Sequence, residues 1–225
     1  MTPSVVCLHG LRRTPSDWDG VRAGLARHGT VRTPGLPSRP ADALGCADAA
    51  IAAGDIVIGH SMGGVLALRL ARTRPRPLRA LILTGCFFPP ARNGRALTRT
   101  IADYAAHRLA FARDAIGGHG DGQATDRSAR ALGLLIQQVA TPGGSETTLS
   151  SVTAPVLVVH ARDDHHVPVD YALAAARGRQ GWSVAILDHG GHHAHVRCPH
   201  SWLEAVTPWL VRAGAPSADE EPAGR

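Results

Sequence analysis

The 225-residue chain contains no lysine, and all 24 of its basic side chains are arginine. It also lacks a continuous apolar run of the ~18–20 residues that a membrane-spanning helix requires. The opening residues, MTPSVVCLHG, do not show the charged segment followed by an apolar segment that marks a secretory signal peptide. We therefore expect a protein without a membrane span, located in the cytoplasm.

The net charge of +6 raises nucleic acid as a partner. The arginine-only basic composition indicates a GC-rich coding sequence instead. Five arginines also lie together at a predicted helix end, where cations complement the helix dipole. We expect no nucleic-acid partner. The five are Arg69, Arg72, Arg74, Arg76 and Arg79.

The chain has few cysteines, and they form no CxxC pair. In a reducing compartment such scattered cysteines are expected to be free thiols, and they supply no zinc framework. No dinucleotide-binding fingerprint and no P-loop is present either, so we expect no cofactor. The four cysteines are Cys7, Cys46, Cys86 and Cys198.

Short apolar runs alternate with helical patterns, as in a parallel sheet covered by helices. The runs are rich in Val, Ile and Leu, which indicates strands buried on both faces. The predicted fold class is α/β, an open, mostly parallel sheet of about six strands with helices on both faces. The predicted strands are 4–8, 30–33, 55–59, 78–84, 155–160 and 183–187. The predicted helices are 18–27, 41–53, 62–72, 169–179 and 199–211.

One long stretch, residues 86–151, interrupts this alternation. Apolar residues repeat at helical spacing within it, and glycine- and proline-containing segments punctuate it. Chain that follows the carboxyl end of a strand faces the ligand crevice of such sheets. We therefore predict a single domain, residues 1–213, with 86–151 as a small helical lid and 214–225 as a disordered tail.

The strongest chemical signal is the segment Gly-His-Ser-Met-Gly-Gly at residues 59–64. It lies between a predicted strand and a predicted helix, as a nucleophile elbow requires. The turn is tight enough to need glycine at 59 and 63, and it places Ser61 at a helix N-terminus. Taken alone, this motif leaves open the alternative that its small residues serve packing only.

A serine nucleophile needs a base and a carboxylate that orients the base. Asp163 and Asp164 follow the strand at 155–160, and several histidines, including His192, follow the strand at 183–187. Serine, acid and histidine therefore come in the order Ser, Asp, His, each after its own strand.

On these motifs the chain resembles the α/β-hydrolase fold family, in its esterase/lipase branch, over residues 3–211. Three other matches are a His-Gly pair at 9–10, an aromatic at Trp18 and Pro199, seven residues after His192. The chain begins almost on the strand that precedes the His-Gly pair, so the resemblance implies about six strands rather than eight.

The resemblance implies that Ser61 is the nucleophile and His192 the general base and acid. It also implies that Asp164 orients the histidine and that the backbone N–H groups of Leu11 and Met62 form the oxyanion hole. Asp163 remains an alternative for the acid, although the spacing to the Val-Pro pair at 167–168 favours Asp164.

Histidines and acids cluster in both loops, which makes a zinc site conceivable. The triad already accounts for Asp164 and His192, and the others lack a regular ligand spacing, so we predict no metal. The clusters are Asp163, Asp164, His165 and His166, and His189, His192, His193 and His195.

Four residues are candidates for the substrate pocket: His9, Phe87, Phe88 and Phe111. Phe87 and Phe88 follow a strand at the elbow's side of the sheet, and Phe111 lies in the predicted lid. Either these phenylalanines face the crevice and form a shallow apolar acyl site, or they only fasten the lid to the sheet.

The resemblance implies hydrolysis of a carboxylic ester of a small, largely apolar molecule. The same triad would also serve a thioesterase, a carbon–carbon bond hydrolase or a biosynthetic cyclase or lyase. A ligand-binding receptor with little turnover is the alternative from another class. The expected partner is a small-molecule ester.

Overall fold

The computed structural model describes residues 4–37, 40–74, 77–86, 88 and 149–214. Within them the chain forms a six-stranded sheet in which every neighbouring pair of strands is parallel. The strand order is β2-β1-β3-β4-β5-β6. The strands are β1 (Ser4–Leu8), β2 (Thr30–Arg32), β3 (Ile56–His60), β4 (Ala80–Thr84), β5 (Val156–Ala161) and β6 (Trp182–Leu187).

The predicted fold class is confirmed, and the predicted strand limits agree with these bounds to within two residues. The agreement has a simple cause. β1, β3, β4 and β5 are buried along almost their whole length, so they read as continuous apolar runs in the sequence.

Alternate residues of each strand point to opposite faces of the sheet, and each face carries its own core. Three helices cover one face: α2 (Pro40–Ala50), α3 (Met62–Thr73) and α4 (Val169–Ala176). The other face packs against α1 (Asp19–Leu25), the short α5 (Ala194–Arg197) and α6 (Pro199–Gly214).

The helices differ from their predicted limits at several ends. In place of the predicted helix 18–27, the structure has a 3₁₀ turn at Pro15–Trp18, then α1, and then a second 3₁₀ turn at Ala26–His28. The helix predicted over 169–179 ends at Ala176, shortly before Gly178, whose φ of +70° suits glycine and breaks the helix. α6 continues to Gly214, the first residue of the predicted tail.

The order of strands places a topological switch point between β1 and β3. From β1 the chain turns to β2 on one side, and it then returns to form β3 on the other side. Open α/β sheets bind ligands outside the carboxyl ends of the two strands at such a point. Those two ends carry the His9-Gly10 pair and Ser61.

Most of the predicted lid lies outside the described residues. Of the stretch 86–151, the described residues are Cys86, Phe88 and residues 149–151. The lid therefore stays a prediction, as does the character of residues 215–225. Across the described ranges, no helix is both long and apolar enough to cross a membrane.

Candidate active site

Ser61 occupies a strained turn between β3 and α3. Its φ of 50° and ψ of −115° are unusual for a residue with a side chain. Two backbone hydrogen bonds hold the turn, from Ser61 N–H to the carbonyl of Thr84 (3.2 Å) and from Val65 N–H to the carbonyl of Ser61 (3.1 Å). The serine is thus held at the N-terminus of α3, beside the carboxyl end of β4.

The glycines on either side of Ser61 are required by close backbone contacts. A Cβ at Gly59 would lie 2.5 Å from Cα of Gly64, and a Cβ at Gly63 would collide with the carbonyl of Leu8. The end of β1 therefore packs directly on the first turn of α3. A packing role for these glycines and a catalytic role for the serine between them are compatible.

The candidate oxyanion donors lie on the two segments that meet here. Met62 is the first residue of α3, so its N–H has no acceptor within the helix. Leu11 follows Gly10 in the loop after β1, and Arg12, the next residue, has a φ of 58°. The Arg13 N–H bonds the carbonyl of Gly10 (3.2 Å), which tightens this loop.

His9, a candidate pocket residue, is 2% exposed, and the backbone engages both of its ring nitrogens. Nε2 accepts a hydrogen bond from the N–H of Leu36 (2.9 Å), so the proton lies on Nδ1, which donates to the carbonyl of Gly10 (2.8 Å). His9 thus fastens residues 33–37 to the candidate oxyanion loop. A contact with substrate stays a prediction.

Asp164 and His192 lie at hydrogen-bond distance, with His192 Nδ1 3.0 Å from Oδ2 of Asp164. The other carboxylate oxygen, Oδ1, accepts the backbone N–H groups of His166 (2.8 Å) and Val167 (2.9 Å). Since an ionised carboxylate only accepts, Nδ1 of His192 carries the proton and leaves Nε2 free to take another.

Burial would by itself raise the pKa of the Asp164 carboxyl. The hydrogen bond from His192 and the attraction of its ring, with a hydrogen bond from the Val167 N–H, outweigh burial and hold that pKa below its usual value. The group is therefore ionised at neutral pH, as an acid that orients an imidazole must be.

Asp163, the alternative acid, points to a different partner. Its carboxylate accepts the backbone N–H groups of Gly191 (2.8 Å) and Gly190 (3.4 Å), and these bonds lower its pKa. Gly190 and Gly191 have φ values of 124° and 58°, which glycine tolerates best. Asp163 thus holds the turn that precedes His192 and does not contact the imidazole.

A second histidine backs the carboxylate of Asp164. His160, at the end of β5, is buried, and its Nε2 donates to the carbonyl of Val167 (2.7 Å) while lying 3.4 Å from Oδ2 of Asp164. Burial lowers the pKa of His160, so its ring is neutral near pH 7. No motif of the sequence marks His160 for this contact.

Four histidine rings, one of them that of His192, lie close together. The ring of His60 lies 4.6–5.1 Å, between centroids, from those of His192, His193 and His195. Burial is the main cause that lowers the pKa of His195 to about 3 and that of His193 to about 4, and it lowers the pKa of His60 as well. These three rings are therefore neutral near pH 7.

One group of potential metal ligands occurs in the described part of the chain: Asp17, His60 and His195, with ligand atoms within 4.8 Å of one another. Both carboxylate oxygens of Asp17, however, are bound by the guanidinium of Arg13, at 2.6 and 2.7 Å. A cation bound by Asp17 would lie close to that positive charge, so the donor set suits a neutral polar cluster better than a metal.

Of the three pocket phenylalanines, Phe88 alone is among the described residues. It is 2% exposed, belongs to the core on the α3 side of the sheet, and lies 6.4 Å from the ring of Trp182, the first residue of β6. This position favours the packing alternative for Phe88. Phe87 and Phe111 lie outside the described residues, so their pocket roles stay predictions.

The family of the chain follows from comparison with known proteins. Residues 5–206 match the sequence profile of the alpha/beta hydrolase family. The chain belongs to this family, and the predicted resemblance and enzyme class are confirmed at that level.

Curated relatives are distant. The chain is 27% identical, in an alignment 234 positions long, to the pimeloyl-[acyl-carrier protein] methyl ester esterase of Aromatoleum aromaticum, a match that covers 88% of this chain and 94% of that protein. It is 26% identical over 185 residues to a protein of Variovorax paradoxus named as a carbamate hydrolase, covering 71% of this chain and 67% of that protein.

Solved structures share the fold. The monoacylglycerol lipase of Paleococcus ferrophilus superposes with a TM-score of 0.66 at 14% identity, over 94% of this chain and 96% of that one. A thermophilic esterase from Thermogutta terrifontis gives a TM-score of 0.60 at 20% identity, over 94% and 90% of the two chains.

Proposed function

We propose that the protein is a serine hydrolase that cleaves a carboxylic ester of a small, largely apolar molecule through Ser61, His192 and Asp164. The observation that carries this proposal is the 3.0 Å contact between Asp164 and His192, together with the 2.9 Å hydrogen bond from His60, the residue before Ser61, to the His192 carbonyl. Membership of a hydrolase family supports it independently.

In the proposed reaction the Ser61 hydroxyl oxygen attacks the acyl carbonyl, and His192 Nε2 takes the hydroxyl proton. Nε2 is the nitrogen available because Nδ1 is engaged with Asp164. The N–H groups of Leu11 and Met62 bind the oxyanion of the tetrahedral intermediate. His192 then gives its proton to the departing alcohol, and water repeats the sequence on the acyl-enzyme to release the acid.

The choice of an ester draws on the relatives, one of which is named for a methyl ester and another for a carbamate. Phe87 and Phe111, if they line the crevice, would add apolar surface and favour short to medium acyl chains, since each buried CH₂ contributes up to ~0.8 kcal/mol. None of the four cysteines forms a disulfide, which suits the cytoplasmic location that we propose with this activity.

The test is an activity panel of p-nitrophenyl esters from acetate to palmitate, with thioesters, carbamates and lactones, on the wild type and the Ser61→Ala variant. We expect ester turnover in the wild type and a loss of at least roughly 10³-fold in Ser61→Ala, because a methyl group cannot attack. Ser201→Ala, an exposed serine on α6, is the matched control and should keep full activity.

Two results would contradict the proposal. Ser61→Ala with more than a tenth of wild-type turnover would remove the serine from the mechanism. Labelling of Ser61 by a fluorophosphonate without turnover of any substrate in the panel would favour the receptor alternative instead.

A further inference from the structure

His60, the residue before the candidate nucleophile, joins parts of the chain that are far apart in sequence. It ends β3 and is 1% exposed. Its Nε2 lies 2.9 Å from the backbone carbonyl of His192, a hydrogen bond between residues 132 positions apart. Because a carbonyl only accepts, Nε2 carries the proton and donates it.

The carbonyl that His60 binds has little room to move. A Cβ at Gly85 would lie 2.8 Å from the same His192 oxygen, so the backbone of Gly85 also packs against this group. Gly85 has a φ of 51°, which is costly for other residues. The His192 carbonyl is thus in contact with both the end of β4 and the ring of His60.

The ring of His60 also supports the loop after β1. A Cβ at Gly10 would lie 2.8 Å from Nδ1 of His60 and 3.1 Å from its Cε1, so the ring edge packs on the backbone of Gly10. Gly10 directly precedes Leu11, a candidate oxyanion donor. One side chain therefore contacts the base residue and the oxyanion loop, and it is covalently adjacent to the nucleophile.

The ionisation of His60 suits this position. Burial, and then the neighbouring rings of His195, His192 and His193, lower its pKa well below the usual value. A neutral ring can still donate through Nε2. A charged ring, with its centroid 5.0 Å from that of His192, would instead oppose proton uptake by the base.

We propose that His60 is a positioning residue of the reaction, which sets the His192 loop against the nucleophile and the oxyanion loop through its hydrogen bond to the His192 carbonyl and its contact with Gly10. This inference rests on the proposed function of the triad. Displacements of about 1 Å in a catalytic geometry can cost on the order of 10²-fold in rate, which sets the expected scale.

The experiment compares His60→Leu, which fills similar space without a donor, with His60→Gln, whose amide nitrogen can take the place of Nε2. His200→Leu is the matched control, because His200 is exposed on α6. We expect kcat of His60→Leu to fall roughly 10- to 100-fold with KM changed less than about 3-fold, and His60→Gln to recover to within about 3-fold of wild type. His200→Leu should match the wild type.

A His60→Leu variant within 2-fold of wild-type kcat would overturn the inference. So would a folded His60→Gln variant as slow as His60→Leu, because the hydrogen bond would then be irrelevant. If His60→Leu fails to fold, as thermal unfolding would show, His60→Asn replaces it. Its shorter amide cannot reach the carbonyl, and a kcat equal to that of His60→Gln would again overturn the inference.

A readout without turnover separates this inference from the proposed function. The His192 Nδ1 proton, bonded to Asp164, should give a low-field proton NMR signal in wild type and His60→Gln that broadens or disappears in His60→Leu. An unchanged signal in His60→Leu would count against positioning even if no ester were a substrate. A wild type that turned over no ester would defeat only the proposed function.

Discussion

Two loops each carry a pair of residues of the same type in different surroundings. The acid loop, residues 161–168, contains two aspartates, and the base loop, residues 188–195, contains the histidines His192 and His195. In the acid loop, Asp164 is buried and accepts hydrogen bonds from His192 and from two backbone N–H groups. Its neighbour Asp163 is partly exposed and accepts the backbone N–H groups of Gly190 and Gly191. Both carboxylates have a lowered pKa, yet only one meets an imidazole.

The base loop shows the same division between two histidines. His192 is bonded to Asp164 through Nδ1 and keeps 12% of its side chain exposed. His195, three residues later, is fully buried against Trp18, with ring centroids 4.5 Å apart. Neither of its ring nitrogens has a hydrogen-bond partner among the described residues.

Both aspartates of the acid loop bind a residue of the base loop. Asp164 is hydrogen-bonded to His192, and Asp163 binds the N–H of Gly191 in the turn that precedes His192. Residue type permits a role, and the contact across the two loops distinguishes residues of the same type. Substituting each member of a pair in turn tests this division.

The largest effect is expected from the histidine pair. His192→Gln should lower kcat by roughly 10⁵- to 10⁶-fold, the scale seen when the base of a serine hydrolase is removed. His195→Phe, which preserves an aromatic ring against Trp18, should cost less than about 10-fold. Steady-state kinetics with a p-nitrophenyl ester measure both. Equal losses in the two variants would contradict the assignment of the base.

Substitutions of the two aspartates should differ less in their effect on kcat than substitutions of the two histidines. Asp164→Asn should lower kcat by roughly 10⁴-fold, because an amide neither favours the required tautomer of His192 nor stabilises its charge. Asp163→Asn keeps an oxygen that can accept the Gly191 N–H, so we expect a loss of about 10-fold or less. The same assay decides, and a reversed order would transfer the acid role to Asp163.

The smallest effect concerns stability against pH. The pKa of His195 is about 3 in the folded state, whereas an unfolded chain has the ordinary value near 6.5. Between these values the unfolded state binds more protons than the folded state. The contribution of His195 to the free energy of unfolding is therefore fully present above about pH 6.5, and acidification lowers it by up to ~1.4 kcal/mol per pH unit.

Urea unfolding at pH 7, 6, 5 and 4.5 measures the effect of His195. The free energy of unfolding of His195→Phe should fall less with acid than that of the wild type. His193, whose pKa is also lowered, acts in the same way in both proteins. The pKa of His60 is lowered partly by His195, so the variant should also lose part of the His60 effect, which changes the comparison in the same direction. Parallel curves for the two proteins would show that His195 is not buried in its neutral form.

Sequence reasoning reached the fold because the relevant signals are local. A strand buried on both faces is a continuous apolar run, and the turn at 59–64 needs glycines at set positions, so both are visible without knowing what packs against them. The 3₁₀ turn at Gly191–His193 and α5 could not be predicted from the sequence, because neither has a periodic apolar pattern. The elbow motif likewise gives no sign that His60 contacts the His192 carbonyl.

By itself, the sequence determined the alternating architecture, the serine at a strand–helix junction and the chain order of serine, acid and histidine. The tertiary structure alone decided which partner each polar side chain meets: Gly191 for Asp163, His192 for Asp164, and the His192 carbonyl for His60. The physical reason is distance along the chain. These hydrogen bonds join residues 28 to 132 positions apart, and their geometry depends on how parallel strands bring separate loops to one edge of the sheet.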